Sequence, residues 1–210
     1  HKPKYPDTNR KGVLTQFDPA TGRERLLGVP REQIPGEGKR GLSLMIDPAG
    51  NVFGCLAPAC TFWQYDPQAD EIRVLDVDMP LPASVAAGDE RAVKRYNDGR
   101  WGRISSHIWW PEEQCFYAIR SIDGMVFRFF PPAGDKPARV ETVATVDLPD
   151  EKTSWRSCMF AIVGRTLWTT PYTGWGGEVR LVSCDLDSGE VKRYGPVVTE
   201  DDHILNECHS

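Results

Sequence analysis

The hydrophobic positions of this chain fall in short runs, which are separated by clusters of Asp, Pro and Gly. Such clusters begin at Asp18, Asp66, Pro131 and Asp185, each between two β-type runs. Asp accepts backbone hydrogen bonds inside a turn, Pro presets a backbone angle, and Gly or Asp tolerates the left-handed position that follows. The pattern therefore predicts a β-hairpin at each of these places.

A second repeat lies between the predicted hairpins. Residues 40–53 align without gaps on residues 103–116, and with one residue removed they align on residues 156–168. Each unit then holds two hairpins, an inner one and an outer one, in roughly 50 residues, which is typical of a β-propeller blade. We expect an all-β fold, a β-propeller of four-stranded blades with about three and a half blades present, as part of a longer propeller.

The repeats place the blades along one propeller domain that spans residues 1–210. The predicted blades are the outer half of one blade at 12–30, whole blades at 40–80, 103–149 and 156–199, and the start of another at 205–210. Residues 83–95 carry Ala and charged residues and predict a short helix between two blades. The other blades are expected from residues outside this sequence or from another chain. An open stack of sheets is the alternative, although its edges would be exposed.

Composition and charge exclude several classes of protein. A hydrophobic fraction of 40% and a charged fraction of 26% are those of an ordered globular chain. No apolar run approaches the ~20 residues that span a bilayer, so no membrane partner is expected. A net charge of -5 argues against sequence-independent binding to nucleic acid. The cysteines leave the compartment open, and Cys55 and Cys60, which flank a loop, fit either a disulfide or two buried thiols.

Arg and Trp residues recur where a propeller would bind a ligand. The innermost strand of each blade lines the central channel, and the loops next to it gather on one face. The fork of Arg binds carboxylates, and aromatic rings cover the apolar faces of sugars, so an acidic polysaccharide or oligosaccharide is the expected partner. The alternative is that the repeated Arg residues bridge neighbouring blades. The candidates for substrate binding are Arg40, Arg103, Arg156, Trp101, Trp155 and Trp175.

Residues that break the repeat are the candidates for catalysis. Arg120 and Tyr172 occupy equivalent positions at the ends of predicted second strands, where the sister blade has Ala57. His107 stands on a predicted inner strand at a position that is Leu or Phe in the sister blades, and a titratable group there needs a partner or a purpose. A core histidine with its hydrogen bonds satisfied is the alternative. His209 is a second candidate on the next inner strand.

Two kinds of residues are similar to those of known propeller families. Residues 47–53 and 62–67, with the sequences DPAGNVF and FWQYDP, resemble the blade consensus of streptogramin-lyase-like and gluconolactonase-like propellers. The His-bearing inner strands, the Arg-rich loops and residues 207–210 resemble the seven-bladed propeller polysaccharide lyases of the ulvan and rhamnosyl-glucuronate lyase type. The resemblance covers nearly the whole chain as a fold, and it implies that the blades are part of a seven-bladed ring.

The lyase resemblance implies β-elimination at a uronic acid, in a secreted or periplasmic setting. Arg120 or Arg156 would neutralise the carboxylate, which makes the proton on C5 more acidic. His107 or His209 would act as the base, and Tyr172 would act as base or acid. The expected enzyme is a carbon–oxygen lyase that acts on an acidic polysaccharide. The alternatives are a non-catalytic propeller that binds a glycan or a protein, and a metal-dependent enzyme similar to streptogramin lyase or gluconolactonase.

No cofactor is certain from the sequence, but a structural metal ion is possible. Cys158, Cys208 and His209 lie on predicted adjacent inner strands, and thiolate and imidazole are ligands that suit zinc. The ulvan-lyase resemblance allows such a site. A calcium site of the gluconolactonase kind would need converging Glu, Asn and Asp side chains, of which Asn206 and Glu207 are visible in the sequence.

Overall fold

The computed structural model describes residues 14–28, 43–56, 60–97, 104–120, 123–146, 155–156, 160–173 and 179–197. The chain divides into two compact units, His1–Arg103 and Ile104–Ser210. Both units are built from antiparallel sheets, so the predicted all-β class with four-stranded sheets is confirmed.

The first unit holds one two-stranded and one four-stranded sheet. Strands β1 (Leu14–Asp18) and β2 (Arg23–Gly28) form the small sheet. The larger sheet is a meander of strands in sequence order. Its strands are β3 (Ser43–Ile46), β4 (Val52–Leu56), β5 (Thr61–Asp66) and β6 (Glu71–Val74). Helices α1 (Ala83–Ala86) and α2 (Glu90–Asn97) follow, in the place where residues 83–95 predict a helix.

The second unit holds two four-stranded sheets and one short ladder. The first sheet is a meander of β7 (Ile104–Trp110), β8 (Cys115–Arg120), β9 (Met125–Phe130) and β10 (Arg139–Thr145). The short ladder pairs β11 (Trp155–Arg156) with β14 (Tyr172–Thr173). The last sheet runs in the order β12 (Phe160–Val163), β13 (Thr166–Thr169), β15 (Arg180–Asp185) and β16 (Val191–Pro196).

The acidic turns fold as their sequences predict. The carboxylate of Asp18 accepts a hydrogen bond from the backbone N–H of Ala20 at 2.9 Å, and the carboxylate of Asp185 accepts one from the N–H of Ser188 at 2.8 Å. Gly22 closes the first of these turns with a φ of +67°, in the left-handed region that glycine adopts without a steric penalty. Each turn therefore joins the two outer strands of its sheet as a tight hairpin.

A glycine makes room for the largest side chain in the core of the first unit. Gly54 on β4 and Trp63 on β5 are register partners, and a Cβ at Gly54 would overlap the buried indole of Trp63. The core around Trp63 includes Leu14 of the small sheet and Tyr65 of the large one. The small sheet therefore packs on the face of the four-stranded sheet.

The core of the second unit lies between its two four-stranded sheets. Tyr117 and Ile119 of β8 are fully buried with Leu167 of β13 and Val182 of β15. These strands have opposite faces on alternate residues, so one face of each sheet supplies the core. The two sheets thus stack face to face, which is the packing that successive propeller blades show.

The described residues also answer two smaller questions. Cys55 and Cys60 are buried thiols that are not joined in a disulfide, so the alternative of two buried thiols is confirmed. In the described ranges no helix combines the length and the apolar character that crossing a membrane requires. The proposed division of residues 1–210 into blades stays a prediction.

Candidate functional site

The short ladder brings together three of the residues that the sequence selects. Strand β11 consists of Trp155 and Arg156, and strand β14 begins at Tyr172. In their antiparallel register Arg156 is paired with Tyr172, and Trp155 is paired with Thr173. Residues directly opposite in such a ladder are close neighbours on the sheet. An expected anion-binding residue, a phenol and an indole therefore occupy consecutive positions of one ladder.

Arg120 lies at the matching end of the neighbouring sheet. It ends β8 opposite Ile104, just as Tyr172 begins β14 opposite Arg156. The repeat alignment places Arg120 and Tyr172 at corresponding positions, whereas their register partners differ, because Arg156 aligns on Arg103 and not on Ile104. Tyr172 lies on the separate ladder β11–β14, and Arg120 ends a strand of the four-stranded sheet β7–β10.

The guanidinium of Arg120 is buried and ion-paired. Its Nε and Nη2 donate to Oδ1 and Oδ2 of Asp123 at 2.9 and 2.6 Å, and the side chain is 3% exposed. Oδ1 of Asp123 also accepts a hydrogen bond from the backbone N–H of Met125 at 3.2 Å. These hydrogen bonds connect the end of β8 to the turn that leads into β9. The catalytic role of Arg120 stays a prediction, and a substrate carboxylate would have to share this guanidinium with Asp123.

His107 lies half-buried on β7, on the sheet face that also carries Trp109 and Phe116. Its ring meets Phe116 edge to face, with the ring centroids 6.1 Å apart. Burial lowers the pKa of His107 below its ordinary value of 6.5, because the charged imidazolium loses hydration. The imidazole is therefore neutral at pH 7 and keeps a lone pair that can accept a proton. Its role as a base stays a prediction.

A second charged cluster connects the two sheets of the second unit. The carboxylate of Glu113, in the β7–β8 turn, accepts hydrogen bonds from Arg128 at 3.1 Å, from Tyr117 at 3.0 Å and from Arg165 at 2.7 Å. Arg165 continues to Asp187 in the acidic turn of the last sheet, also at 2.7 Å. Burial tends to raise the pKa of Glu113, but the donors outweigh it and the net shift is downward. This cluster is a structural contact between sheets.

The remaining candidates of the sequence lie outside the described residues. They are Arg40, Trp101, Arg103, Cys158, Trp175, Cys208 and His209. The proposed zinc ligands belong to this set, as do Asn206 and Glu207 of the possible calcium site. Within the described part of the chain no group of three His, Cys, Asp or Glu side chains could hold a metal ion.

Two residues of these clusters were not selected by sequence reasoning. Asp123 follows Arg120 by three residues and precedes Gly124, so an Arg-x-x-Asp pair across a tight turn was a signal for the ion pair. Glu113 carries no such local signal, because its partners Arg128 and Arg165 are distant in sequence. The role of the Glu113 carboxylate is visible only when the two sheets are stacked, because Arg128 and Arg165 then lie on either side of it.

No protein-family profile matches the chain, and no curated protein matches it. Solved structures do match its fold. The periplasmic gluconolactonase PpgL of Pseudomonas aeruginosa superposes with a TM-score of 0.51 at 17% identity, over 90% of this chain and 51% of that one. YCF48 of Cyanidioschyzon merolae matches with a TM-score of 0.49 at 12% identity, over 88% of this chain and 53% of that one.

A luciferin-regenerating enzyme matches with a TM-score of 0.43 at 14% identity, over 88% of this chain and 50% of that one. The chain thus spans about half the length of each of these proteins. The fold is a partial β-propeller, as the sequence predicts. None of the three is a polysaccharide lyase, so the resemblance to that type is not confirmed.

Proposed function

We propose that the chain supplies part of the active site of a propeller enzyme that hydrolyses the lactone of a sugar acid. The observation that supports this proposal best is the β11–β14 ladder, in which Arg156 is the register partner of Tyr172. A cation and a phenolic proton donor are groups that can stabilise and protonate a cyclic ester during its cleavage. We propose the lactone of a sugar acid as the substrate of the whole protein, of which this chain forms a part.

Hydrolysis of a lactone develops negative charge on the carbonyl oxygen. Water attacks the carbonyl carbon, the acyl C–O bond of the ring breaks, and the ring oxygen leaves as an alcohol. Arg156 would stabilise the oxyanion, and the phenol of Tyr172 would donate a proton to the ring oxygen. His107, whose pKa is lowered by burial, would take the proton from water. Proton exchange with the solvent then restores the phenol of Tyr172 and the neutral imidazole of His107, and the product acid releases one proton.

The fold likeness favours this class over the lyase. PpgL is described as a gluconolactonase and shares the backbone of the described sheets with a TM-score of 0.51. At 17% identity the similarity to PpgL supports a shared fold and not a shared active site. The proposed reaction is therefore argued from the residues of the β11–β14 ladder.

Elimination at a uronic acid is the second candidate. The same ladder favours it, because an Arg beside a Tyr can neutralise the carboxylate of a uronate and protonate the leaving oxygen. The two reactions differ in what they make. Hydrolysis of a lactone releases a proton and forms no double bond, whereas elimination forms a C4–C5 double bond that absorbs in the ultraviolet.

The test is a parallel assay with two sets of substrates. Glucono-δ-lactone and related aldonolactones are followed by proton release at constant pH, with the spontaneous hydrolysis subtracted. Ulvan, gum arabic and pectin are followed by ultraviolet absorbance. We expect proton release above the blank with at least one lactone. Absorbance from a uronate polymer without lactone turnover would establish the lyase instead, and inactivity on both sets would favour a binding module.

A further inference from the structure

The first unit carries an apolar cleft beside β1. The cleft has a volume of about 520 Å³ and lies between the small sheet and the start of the four-stranded sheet. Leu14 and Leu27 line it on one side, and Leu44, Ile46 and Val52 line it on the other. Leu44 and Ile46 of β3 are 42% and 58% exposed, which is high for branched apolar side chains that alternate on one face of a strand.

The equivalent surface of the second unit is covered. In the repeat alignment Leu44 corresponds to Phe160 and Ile46 to Ile162, both on β12. Phe160 and Ile162 pack against the core that Tyr117 of β8 helps to form, and Trp110 of β7 packs against the same core. The inner hairpin β7–β8 of the preceding sheet therefore shields in the second unit what is exposed in the first.

The small sheet has the sequence of an outer hairpin. The turn after β1, Asp18-Pro19, matches Asp66-Pro67 after β5, the third strand of its sheet. Strand β5 pairs with β4 on its inner edge and with β6 on its outer edge. Strand β1 pairs with β2 as its outer neighbour, and no other described strand lies along its inner edge. An open edge of this kind is a template for strand addition.

We propose that the cleft binds an inner β-hairpin similar to β7–β8. This hairpin pairs with β1 and completes a four-stranded sheet. Its backbone would bond to the inner edge of β1. One face of the hairpin would lay apolar side chains on Leu44 and Ile46, as Trp110 and Tyr117 do in the second unit. Its sequence chemistry is therefore two short strands with β-branched or aromatic residues at alternate positions and a polar turn between them. This proposal is independent of the enzymatic activity.

The experiment supplies such a hairpin from the chain itself. A copy of residues 104–120, with Cys115→Ser, is fused to the N-terminus of the protein through a Gly-Ser linker, because tethering raises the local concentration to about the millimolar range. A matched fusion carries Ile108→Ser, Trp110→Ser and Tyr117→Ser, which remove the apolar face and keep the other. Hydrogen exchange of the β1 amides and the melting temperature are measured for both.

We expect at least tenfold slower exchange of the amides of Thr15 and Gln16 and a higher melting temperature in the first fusion only. Leu44→Gln with Ile46→Gln should abolish both effects, whereas Val163→Gln should not, since Val163 is 67% exposed on β12 and outside the cleft. Equal behaviour of the two fusions would overturn the proposal. So would a dimer of the unfused protein that Leu44→Gln dissociates, because a second copy would then be the occupant. Retention of a small apolar dye in the first fusion would likewise show that the cleft takes a small ligand.

Discussion

The two oxygens of the Asp123 carboxylate each accept a hydrogen bond from the guanidinium of Arg120, at 2.9 and 2.6 Å. Because the Arg120 side chain is 3% exposed, loss of either partner leaves a charge with little access to water. We expect Arg120→Leu to lower the free energy of unfolding by about 3 kcal/mol, measured by urea denaturation.

The double variant Arg120→Leu with Asp123→Leu separates the structural role from a catalytic one. Removal of both charges should recover part of the stability that the single change loses. If the single variant is as stable as the wild type yet loses turnover, the ion pair is not structural and Arg120 belongs to the active site.

Glu113 should make the stability of the protein depend on pH in the acidic range. The pKa of its carboxyl is lowered, so the folded state keeps the group ionised where the unfolded chain, with an ordinary value of 4.5, binds a proton. The stabilisation is present above that value and is lost as the pH falls through the folded pKa. Urea denaturation from neutral to acidic pH should show a steeper loss for the wild type than for Glu113→Gln.

The control for this prediction is Glu112→Gln. Glu112 is exposed in the same turn, and its substitution should leave the slope of the wild type unchanged. Parallel curves for the wild type and Glu113→Gln would contradict the proposed contact with Arg128 and Arg165.

Gly54→Ala should disturb the core of the first unit. The added methyl group meets the indole of Trp63, so side chains or backbone must shift, at a cost of about 1–3 kcal/mol. A Cβ at Gly54 would also lie 2.8 Å from the backbone carbonyl oxygen of Ser43. Trp63→Phe is destabilising alone. In the double variant the smaller ring removes the overlap with the indole but not the one with Ser43, so the loss of stability should be less than the sum of the two single losses. Strict additivity in thermal unfolding would show that Gly54 and Trp63 do not touch.

His107, a basic group, should make the stability of the protein depend on pH in a higher range than the carboxylate of Glu113 does. Its folded pKa is lowered by burial, so between that value and the ordinary 6.5 the unfolded chain binds a proton that the folded protein does not. Stability should therefore decline as the pH falls below about 6.5 and level off below the folded pKa. His107→Gln should remove this decline, as followed by urea denaturation. The same slope in the variant would mean that the imidazole is hydrated in the folded protein.

The turns and the strands were predictable because their causes are local. Asp18 and Asp185 accept hydrogen bonds from amides two or three residues away, and short apolar runs between turn residues, such as β8 and β9, indicate strands without knowledge of distant residues. Contacts between sheets were not predictable in this way. Glu113 contacts Arg165 because the sheet that contains β7 and β8 stacks on the sheet that contains β12 and β13. The sequence does not indicate that these two residues are partners. Of the candidate site, the corresponding positions of Arg120 and Tyr172 came from the repeat alignment. The pairing of Arg156 with Tyr172 and the burial of Arg120 did not, because both depend on contacts between segments that are distant in sequence.

The most direct test of the account is the turnover of a lactone by two variants of the β11–β14 ladder. Tyr172→Phe and Arg156→Lys should each lower kcat by about 100-fold, because one removes the proton donor and the other removes the forked cation. The matched controls Tyr194→Phe and Arg193→Lys, on the outer strand β16, should keep kcat within about twofold of the wild type. All four variants should remain folded, and Tyr194→Phe, which loses the hydrogen bond between its hydroxyl and Ser183 at 3.2 Å, should show a small decrease in melting temperature. An unchanged kcat in Tyr172→Phe and Arg156→Lys, with folding intact, would contradict the assignment of the active site to this ladder.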